Sequence, residues 1–193
     1  GQADREVNRG IVVPDTVPSL AHAFIQVAKG GKIQISRSIR ETIVVRDKQN
    51  VIVYISSEEQ REISISGRDA AAPVIRFENC QGIVFQNLTL QGGSVSIELD
   101  ASSSVTLNNC VVQGNGKAGL RGGGFTLTDC RIIDNAGWGL ELGGSAQPAA
   151  KLGMTSCVVS GNAGGIVIHS GSADIEASQF TANKGYGIVV DGP

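Results

Sequence analysis

A short motif that recurs along the second half of the chain constrains the fold more than any other feature. Each copy begins with a small anchor residue, has an asparagine five residues later, and continues through glycines to an apolar residue, as in "CVVQGNGKAGL". The anchors are Cys110, Cys130, Cys157 and Ser178, and the asparagines are Asn115, Asn135, Asn162 and Asn183. With Leu88 as the anchor of an earlier, degenerate copy, successive anchors are 22, 20, 27 and 21 residues apart. A period of this length is typical of solenoid proteins.

Within each copy, apolar residues alternate with polar ones in three short runs. In one copy the runs lie at 95–99, 105–107 and 110–112. Alternation places one set of side chains inside a strand layer and their neighbours outside. The sequence therefore predicts an all-β fold, a single-stranded right-handed parallel β-helix (a solenoid) with coils of about 20–22 residues. We interpret "GGSAQPAA", in the 27-residue interval, as a loop insertion on one coil.

A leucine-rich repeat is the structural alternative, because its period overlaps with this one. It requires one strand and a helical or 3₁₀ return in each repeat. The returns here are rich in valine, isoleucine, threonine and glycine, which are poor helix formers. The 26 glycines and the aromatic content of 4% also suit short strands joined by tight turns. The β-helix is the favoured interpretation.

The beginning of the chain has a different pattern. We expect residues 1–16 to form a tail or an extended segment and residues 17–31 to form a capping α-helix. Leu20, Phe24 and Val27 share one face of that helix. Thr16 or Ser19 would cap its start, and Gly30–Gly31 would end it. The helix would cover the open edge of the first coil.

The β-helix is predicted to occupy residues 32–193, and its far end has no equivalent cover. Ile188 and Val190 belong to a last rung without a successor in the sequence. We expect end-to-end packing against another chain at this edge, or further coils in a longer protein.

Charge and hydropathy bear on the possible partners. The formal net charge is −2, and lysines and arginines form no cluster, so we expect no nucleic-acid partner. No apolar run approaches the roughly 18 residues of a membrane-spanning helix, so we expect no membrane insertion. No cofactor is predicted. We also expect no metal site, because the cysteines face one way in a column and the two histidines lie elsewhere in the pattern.

The repeated residues are interpreted as structural columns. Cys110, Cys130 and Cys157 should stack inside the solenoid as free thiols, whereas Cys80, in a turn, should be the most accessible thiol. A second column, of Asn87, Asn109 and Asp129, should form side-chain hydrogen bonds along the axis. We expect a sharp turn directly after each asparagine of the motif, where glycine adopts positive φ easily.

Charged residues occupy equivalent outward positions on the first strand of successive coils. They are Arg76, Glu98, Arg121 and Glu141. In one interpretation, Glu98 and Glu141, about 9.6 Å apart, act as the acid and base of an inverting glycosidase with Arg121 between them. In the other, the alternating charges form a cross-strand ladder that stabilises the fold. We favour the ladder, because Arg121 would keep both carboxylates in the charged form and remove the proton donor.

A few side chains are candidates for ligand binding. Trp138 and Tyr186 hold the same position of the motif, with a coil that lacks an aromatic residue between them, and they could form a stacking platform for a glycan. Arg76, Asp100 and His169 are further candidates on the first strands. Each aromatic ring could instead simply cover its own glycine corner.

The helix, "GGKIQIS" and the coils punctuated by asparagine and glycine resemble the pectin-lyase-like β-helix superfamily, particularly the generic repeats of bacterial proteins. The resemblance covers nearly the whole chain from Val17. It implies the same fold and either a polysaccharide lyase, hydrolase, epimerase or esterase activity, or no activity. The Asn-Thr-Asp, Asp-Asp and Gly-His-Gly motifs of polygalacturonase-like members are absent.

We therefore expect a non-catalytic module of a larger bacterial protein, with a protein or a glycan as its partner. The alternative is a carbohydrate-active enzyme that uses Glu98, Arg121 and Glu141. A spacer that stacks end to end is a third hypothesis. The bacterial protein would be either cytoplasmic, as part of a multidomain chain, or exported.

Overall fold

A computed structural model describes residues 10–56 and 63–192 of the chain. The backbone winds through about eight turns, and each complete turn contributes one strand to each of three parallel sheets. The chain passes from sheet 1 to sheet 2, then to sheet 3, and returns to sheet 1 in the next coil. This is the parallel β-helix that the repeat predicts.

The three sheets contain short strands in sequence order along the axis. Sheet 1 contains Ile43–Arg46, Ile75–Glu78, Ile97–Leu99, Ala118–Gly122, Trp138–Leu142, Gly164–Ile168 and Ile188–Val190. Sheet 2 contains Ile11–Val13, Lys32–Ile35, Ile52–Tyr54, Ile83–Gln86, Val105–Asn108, Phe125–Thr128, Lys151–Thr155 and Ser172–Glu176. Sheet 3 contains Ile39–Arg40, Ser64–Ser66, Thr89–Gln91, Val111–Gln113, Arg131–Ile133, Val158–Ser160 and Gln179–Thr181.

The register keeps equivalent residues of successive coils in contact. In sheet 2, Val105 pairs with Phe125, and Phe125 pairs with Leu152. All three side chains are buried, because alternate residues of each strand point into the solenoid. Near the helix, the rings of Phe77 and Phe85 pack edge to face with centroids 6.1 Å apart. The core is thus a set of apolar rows parallel to the axis.

The single described helix, α1, covers the first coils. It spans Leu20–Gln26, with Ser19 as its N-cap, and is therefore shorter than the predicted 17–31. It ends because Val27 adopts an extended conformation, before Gly30–Gly31 are reached. Leu20 and Phe24 are buried against the strands Ile11–Val13 and Ile43–Arg46. The strand Ile11–Val13 lies within the segment expected to be extended and begins sheet 2.

The sharp turns lie before the motif asparagines, not after them as predicted. At the corner between sheets 3 and 1, positive φ occurs at the residue before each motif asparagine, namely Gly114, Asp134, Gly161 and Ala182. The corner between sheets 2 and 3 has its own positive-φ column, Asn87, Asn109, Asp129, Ser156 and Ala177. These two left-handed residues in each coil bend the chain tightly enough to close it.

The glycines that follow the asparagines have a different role. A Cβ on Gly137 would collide with the carbonyl oxygen of Lys117, and one on Gly165 would collide with the carbonyl oxygen of Gly187. Neither glycine has positive φ. Glycine is required at these positions because the backbones of neighbouring coils approach closely there.

The last coil is the most exposed part of the solenoid. Ile188 is 45% exposed and Val190 is 73% exposed, whereas their partners in the preceding coil, Ile166 and Ile168, are buried and half-buried. The row structure continues to this rung, but no further strand covers it among the described residues.

Candidate functional site

The motif asparagines form a column of hydrogen bonds inside the solenoid. Asn115 donates from Nδ2 to Oδ1 of Asn135 at 2.9 Å, and Asn135 donates in the same way to Asn162 at 2.9 Å. Asn162 continues the column to Asn183 at 3.1 Å. The backbone N–H of each of the first three asparagines also donates to the next side-chain oxygen. These residues hold the corner and offer no reactive group.

The cysteine column also faces inward. Cys110, Cys130 and Cys157 are free and buried in successive coils. The pKa of Cys130 is raised to about 12, chiefly by its hydrogen bond with the Cys110 thiol, and burial adds to the effect. The pKa of Cys157 is also raised, by its hydrogen bond with Cys130 and by burial. Cys130 and Cys157 are therefore held as neutral thiols, whereas the hydrogen bond with Cys130 lowers the pKa of the buried Cys110.

The expectation for Cys80 was wrong, because its side chain is buried. Cys80 follows a left-handed asparagine, Asn79, at the corner between sheets 1 and 2, and this conformation turns the thiol inward. Its Sγ donates to the carbonyl oxygen of Val45 at 3.5 Å. Burial raises the pKa of the Cys80 thiol.

The asparagines before the anchors occupy the outer side of their corner. Asn109 donates from Nδ2 to Oδ1 of Asn87 at 3.0 Å, and Asp129 takes the next position with the same positive φ. Asparagine and aspartate tolerate this conformation better than other residues that carry a Cβ. The column is therefore explained by the shape of the turn.

The charged residues on sheet 1 form one continuous row of ion pairs. Arg76, Glu98, Arg121 and Glu141 are paired in register from coil to coil. Arg76 pairs with Glu98, and Arg121 lies between the two glutamates, 3.7 Å from Glu98 and 2.8 Å from Glu141. Each glutamate proposed as an acid or base thus has an arginine on its carboxylate.

The row extends beyond the four residues predicted from the repeat. Glu78 accepts from Arg46 at 2.8 Å and from Arg76 at 3.2 Å. These hydrogen bonds hold the pKa of Glu78 below its ordinary value. Six residues, three arginines and three glutamates, thereby alternate along this face. Arg76 and Glu78 are two residues apart in one strand and therefore point to the same side, which was a usable signal for Glu78.

Asp100 holds the turn that follows a strand of sheet 1. Its carboxylate accepts from the backbone N–H of Asn79 at 3.0 Å and of Ser102 at 3.1 Å, and from the hydroxyl of Ser103 at 2.7 Å. Burial works against the charged form, yet these hydrogen bonds lower the pKa of Asp100. His169 lies apart from this turn, with its Nδ1 3.6 Å from Asp191.

Trp138 and Tyr186 line the same cleft at the corner between sheets 3 and 1. The cleft has a volume of ≈ 230 Å³ and is lined by Gly137, Trp138, Ala163, Gly164, Gly185 and Tyr186. Tyr186 is 75% exposed. The Trp138 ring lies over Gly164, where a Cβ would collide with its six-membered ring. The cleft therefore has two aromatic side chains, a glycine floor and no charged lining residue.

The coil that contains Gly164 lies between the coils of Trp138 and Tyr186, and its local sequence opens this cleft. Trp138 pairs in register with Gly164, and Leu140 pairs with Ile166. Leu140 is the fifth residue after Asn135, but Ile166 is the fourth residue after Asn162. The corner of the Gly164 coil is thus one residue shorter than that of the Trp138 coil and carries no large side chain. Gly164 was not predicted as a site residue, although this missing residue was a usable signal.

A second depression adjoins the cleft along the corner. It has a volume of ≈ 450 Å³, and its lining includes Asp134, Ala136, Gly161 and Lys184. Ala136 and Lys184 directly precede Gly137 and Gly185 of the cleft in sequence. The two depressions provide an extended surface along the axis, with polar groups next to the aromatic cleft.

Two further findings concern metals and membranes. Within residues 10–56 and 63–192, no group of three or more histidine, cysteine or acidic side chains is arranged to hold a metal ion. In the same part of the chain, no helix has the length and apolar character needed to cross a bilayer.

The three parallel sheets and the stacked internal columns define a solenoid protein of the β-helix class. The family described as right handed beta helix region matches residues 26–182, and the chain belongs to that family. No curated protein matches the chain in sequence.

A solved structure, that of pectate lyase Pel9A, is similar in fold. The sequence identity is 14% and the TM-score is 0.49. The match covers 78% of this chain and 56% of the pectate lyase chain. This chain therefore spans little more than half of that enzyme's structure, and the likeness concerns the fold alone.

Proposed function

We propose that this chain is a non-catalytic β-helix module that binds a glycan, with one neutral sugar ring held between Trp138 and Tyr186. Aromatic side chains bind the apolar C–H faces of sugars, and an uncharged lining favours a neutral ring over a uronate. The cleft of ≈ 230 Å³ is smaller than the roughly 300–1,000 Å³ of common small-molecule pockets, which suits a single ring.

The observation that carries this proposal is the shortened corner at Gly164. Every other feature of the motif is explained by turn geometry, buried hydrogen bonds or close backbone contact. The exposed Tyr186 ring has no such explanation, and the missing residue makes room for the Trp138 ring over Gly164 at the cleft. A large exposed aromatic side chain next to a glycine floor is typical of a binding surface.

The ion-pair row supports the non-catalytic part of the proposal. An inverting glycosidase requires one protonated carboxylic acid and one free carboxylate on opposite sides of the scissile bond. Glu98 and Glu141 are both engaged by Arg121, and Glu98 is also paired with Arg76. The two carboxylates that this mechanism would use are therefore both occupied by ion pairs along the row.

The experiment is isothermal titration of the protein with cellohexaose, xylohexaose and mannohexaose, with hexagalacturonate as the acidic comparison. We expect at least one neutral oligosaccharide to bind, and Trp138→Ala and Tyr186→Ala each to weaken that binding about tenfold or more, because each removes one stacking face. Tyr54→Ala is the matched control, since Tyr54 is a half-buried tyrosine on sheet 2, away from the cleft.

Two results would contradict the proposal. The first is binding that Trp138→Ala leaves unchanged, which would place the glycan elsewhere. The second is cleavage of any of these oligosaccharides, detected by chromatography of the products and abolished in Glu98→Gln. The second result would instead establish the enzyme hypothesis for Glu98, Arg121 and Glu141.

A further inference from the structure

At one position within a strand, the packing of the fold does not require the glycine that is present. Six glycines lie inside strands of the described chain. At five of them a side chain would collide with backbone or ring atoms, and one of these five also has a positive φ. The exception is Gly153, in the strand Lys151–Thr155. A Cβ there would have Thr126 as its nearest neighbour, at 3.9 Å. Glycine weakens the interior of a strand, so a glycine that packing does not require indicates that another molecule approaches closely.

The position of Gly153 is on the outer face of sheet 2. In successive coils its row contains Thr106, Thr126, Gly153 and Asp174. The missing side chain interrupts this row and opens a depression of ≈ 570 Å³. The lining side chains that carry polar groups are those of Ser104, Thr126, Lys151, Ser172 and Asp174. This face is opposite the corner that holds Trp138 and Tyr186.

The lining has the chemistry of a polyol site. Thr126 and the two serines supply hydroxyl groups, Lys151 supplies donors, and Asp174 accepts hydrogen bonds from neighbouring hydroxyls. The bare backbone at Gly153 provides a flat floor for the C–H face of a ring. One cation and one anion in the same depression favour a neutral ligand over a strongly charged one.

We infer that the depression at Gly153 is a second sugar-binding site, independent of the cleft at Trp138 and on another face of the solenoid. This inference rests on the proposed function only for the class of ligand, a neutral glycan. A module with two sites on different faces would bind a polysaccharide at two points or hold two chains together.

The test follows backbone amide signals by NMR during titration with cellohexaose, xylohexaose and mannohexaose. We expect shifts in two separate groups, one around Gly164 and one around Thr126, Gly153 and Asp174. Gly153→Thr should remove the second group and leave the first. The same variant should unfold at an equal or higher urea concentration, because the row has room for the side chain and threonine favours strands.

Val84→Thr is the matched control, since Val84 lies in the same outward row two coils before Thr126. It should leave both groups of shifts in place. The inference is overturned if no probe shifts the signals at Gly153, if those shifts persist in Gly153→Thr, or if Gly153→Thr lowers stability. If the oligosaccharides shift the signals around Gly153 but none around Gly164, the proposed function is contradicted instead.

Discussion

Asn135 is a buried polar residue whose hydrogen-bonding groups are satisfied by the neighbouring coils. It is 3% exposed, donates to Asn162, and accepts from both the backbone and the side chain of Asn115. A buried polar group that loses its partner carries the full penalty of desolvation. The column therefore fixes the register of the coils more strongly than an apolar row of the same size.

Replacing Asn135 with alanine should lower the free energy of unfolding by about 2–4 kcal/mol, because it leaves buried groups of Asn115 and Asn162 without partners. Urea unfolding followed by circular dichroism measures this change. Gln113→Ala is the control: Gln113 bonds to Gln91 on the half-buried outer face, and its loss should change stability by about 0.5 kcal/mol or less. Equal effects of the two variants would show that the column has no special role.

Cys130 makes stability depend on pH in the alkaline range. The pKa of Cys130 is raised from 9.0 to about 12 in the folded protein, so folding favours the neutral thiol. This contribution should be complete below pH 9 and should decrease as the pH rises from 9 towards 12. Urea unfolding at pH 8 and pH 10.5 tests this, and Cys130→Ala should reduce the difference. A stability that rises over this interval would contradict the assignment.

The sequence could place residues that recur in register, but not those whose environment depends on a single corner. Cys110 and Cys130 were predicted to face inward because the anchor position repeats. Cys80 lies outside that repeat, and its burial depends on the left-handed conformation of Asn79. The positive-φ positions were predicted after the motif asparagines but lie before them, because asparagine followed by glycine suits both a left-handed turn and a close backbone contact.

At the scale of elements, a carboxylate of the solenoid caps the start of α1. Glu41 accepts from the backbone N–H groups of Leu20 at 2.7 Å and of Ala21 at 3.2 Å. These are free donors of the first helical turn, where a negative charge is favourable. Glu41 lies just before the strand Ile43–Arg46, against which the helix packs. The carboxylate thus sets the position of the helix on the first coils.

Glu41→Ala should destabilise the protein by about 1–2 kcal/mol, because it removes a charged cap from the helix N-terminus. Glu41→Gln keeps an oxygen acceptor and should lose about half as much. Urea unfolding gives these values, and hydrogen exchange at the amides of Ala23 and Val27 should accelerate. Glu176→Gln, at an exposed strand residue, is the control. An unchanged exchange rate in Glu41→Ala would show that the helix is held by its apolar face alone.

The sequence indicated that a helix would cover the first coil, but it could not give the end of the helix. Gly30 and Gly31 were the strongest local stop signal, yet Val27 already leaves the helix, because the chain must enter the strand Lys32–Ile35. The ion-pair row was predicted from alternation of charge between coils. Its extension through Glu78 depends on pairing within one strand as well as between strands.

At the scale of the whole molecule, regular stacking of the coils constrains inward and outward positions differently. Inward positions are constrained from coil to coil, while outward positions vary without affecting the core. Features confined to one coil, such as the shortened corner at Gly164 and the open position at Gly153, are therefore the ones on which both proposed binding sites are based. The repeat predicted the architecture for this reason, and it could not predict these two positions, which are departures from it.

The most direct test is a crystal structure of the protein with the neutral hexasaccharide that binds best. We expect density for a sugar ring in the cleft between Trp138 and Tyr186, with all glycosidic bonds intact. Density along Glu98, Arg121 and Glu141, or a shortened product in that place, would contradict a non-catalytic glycan-binding module.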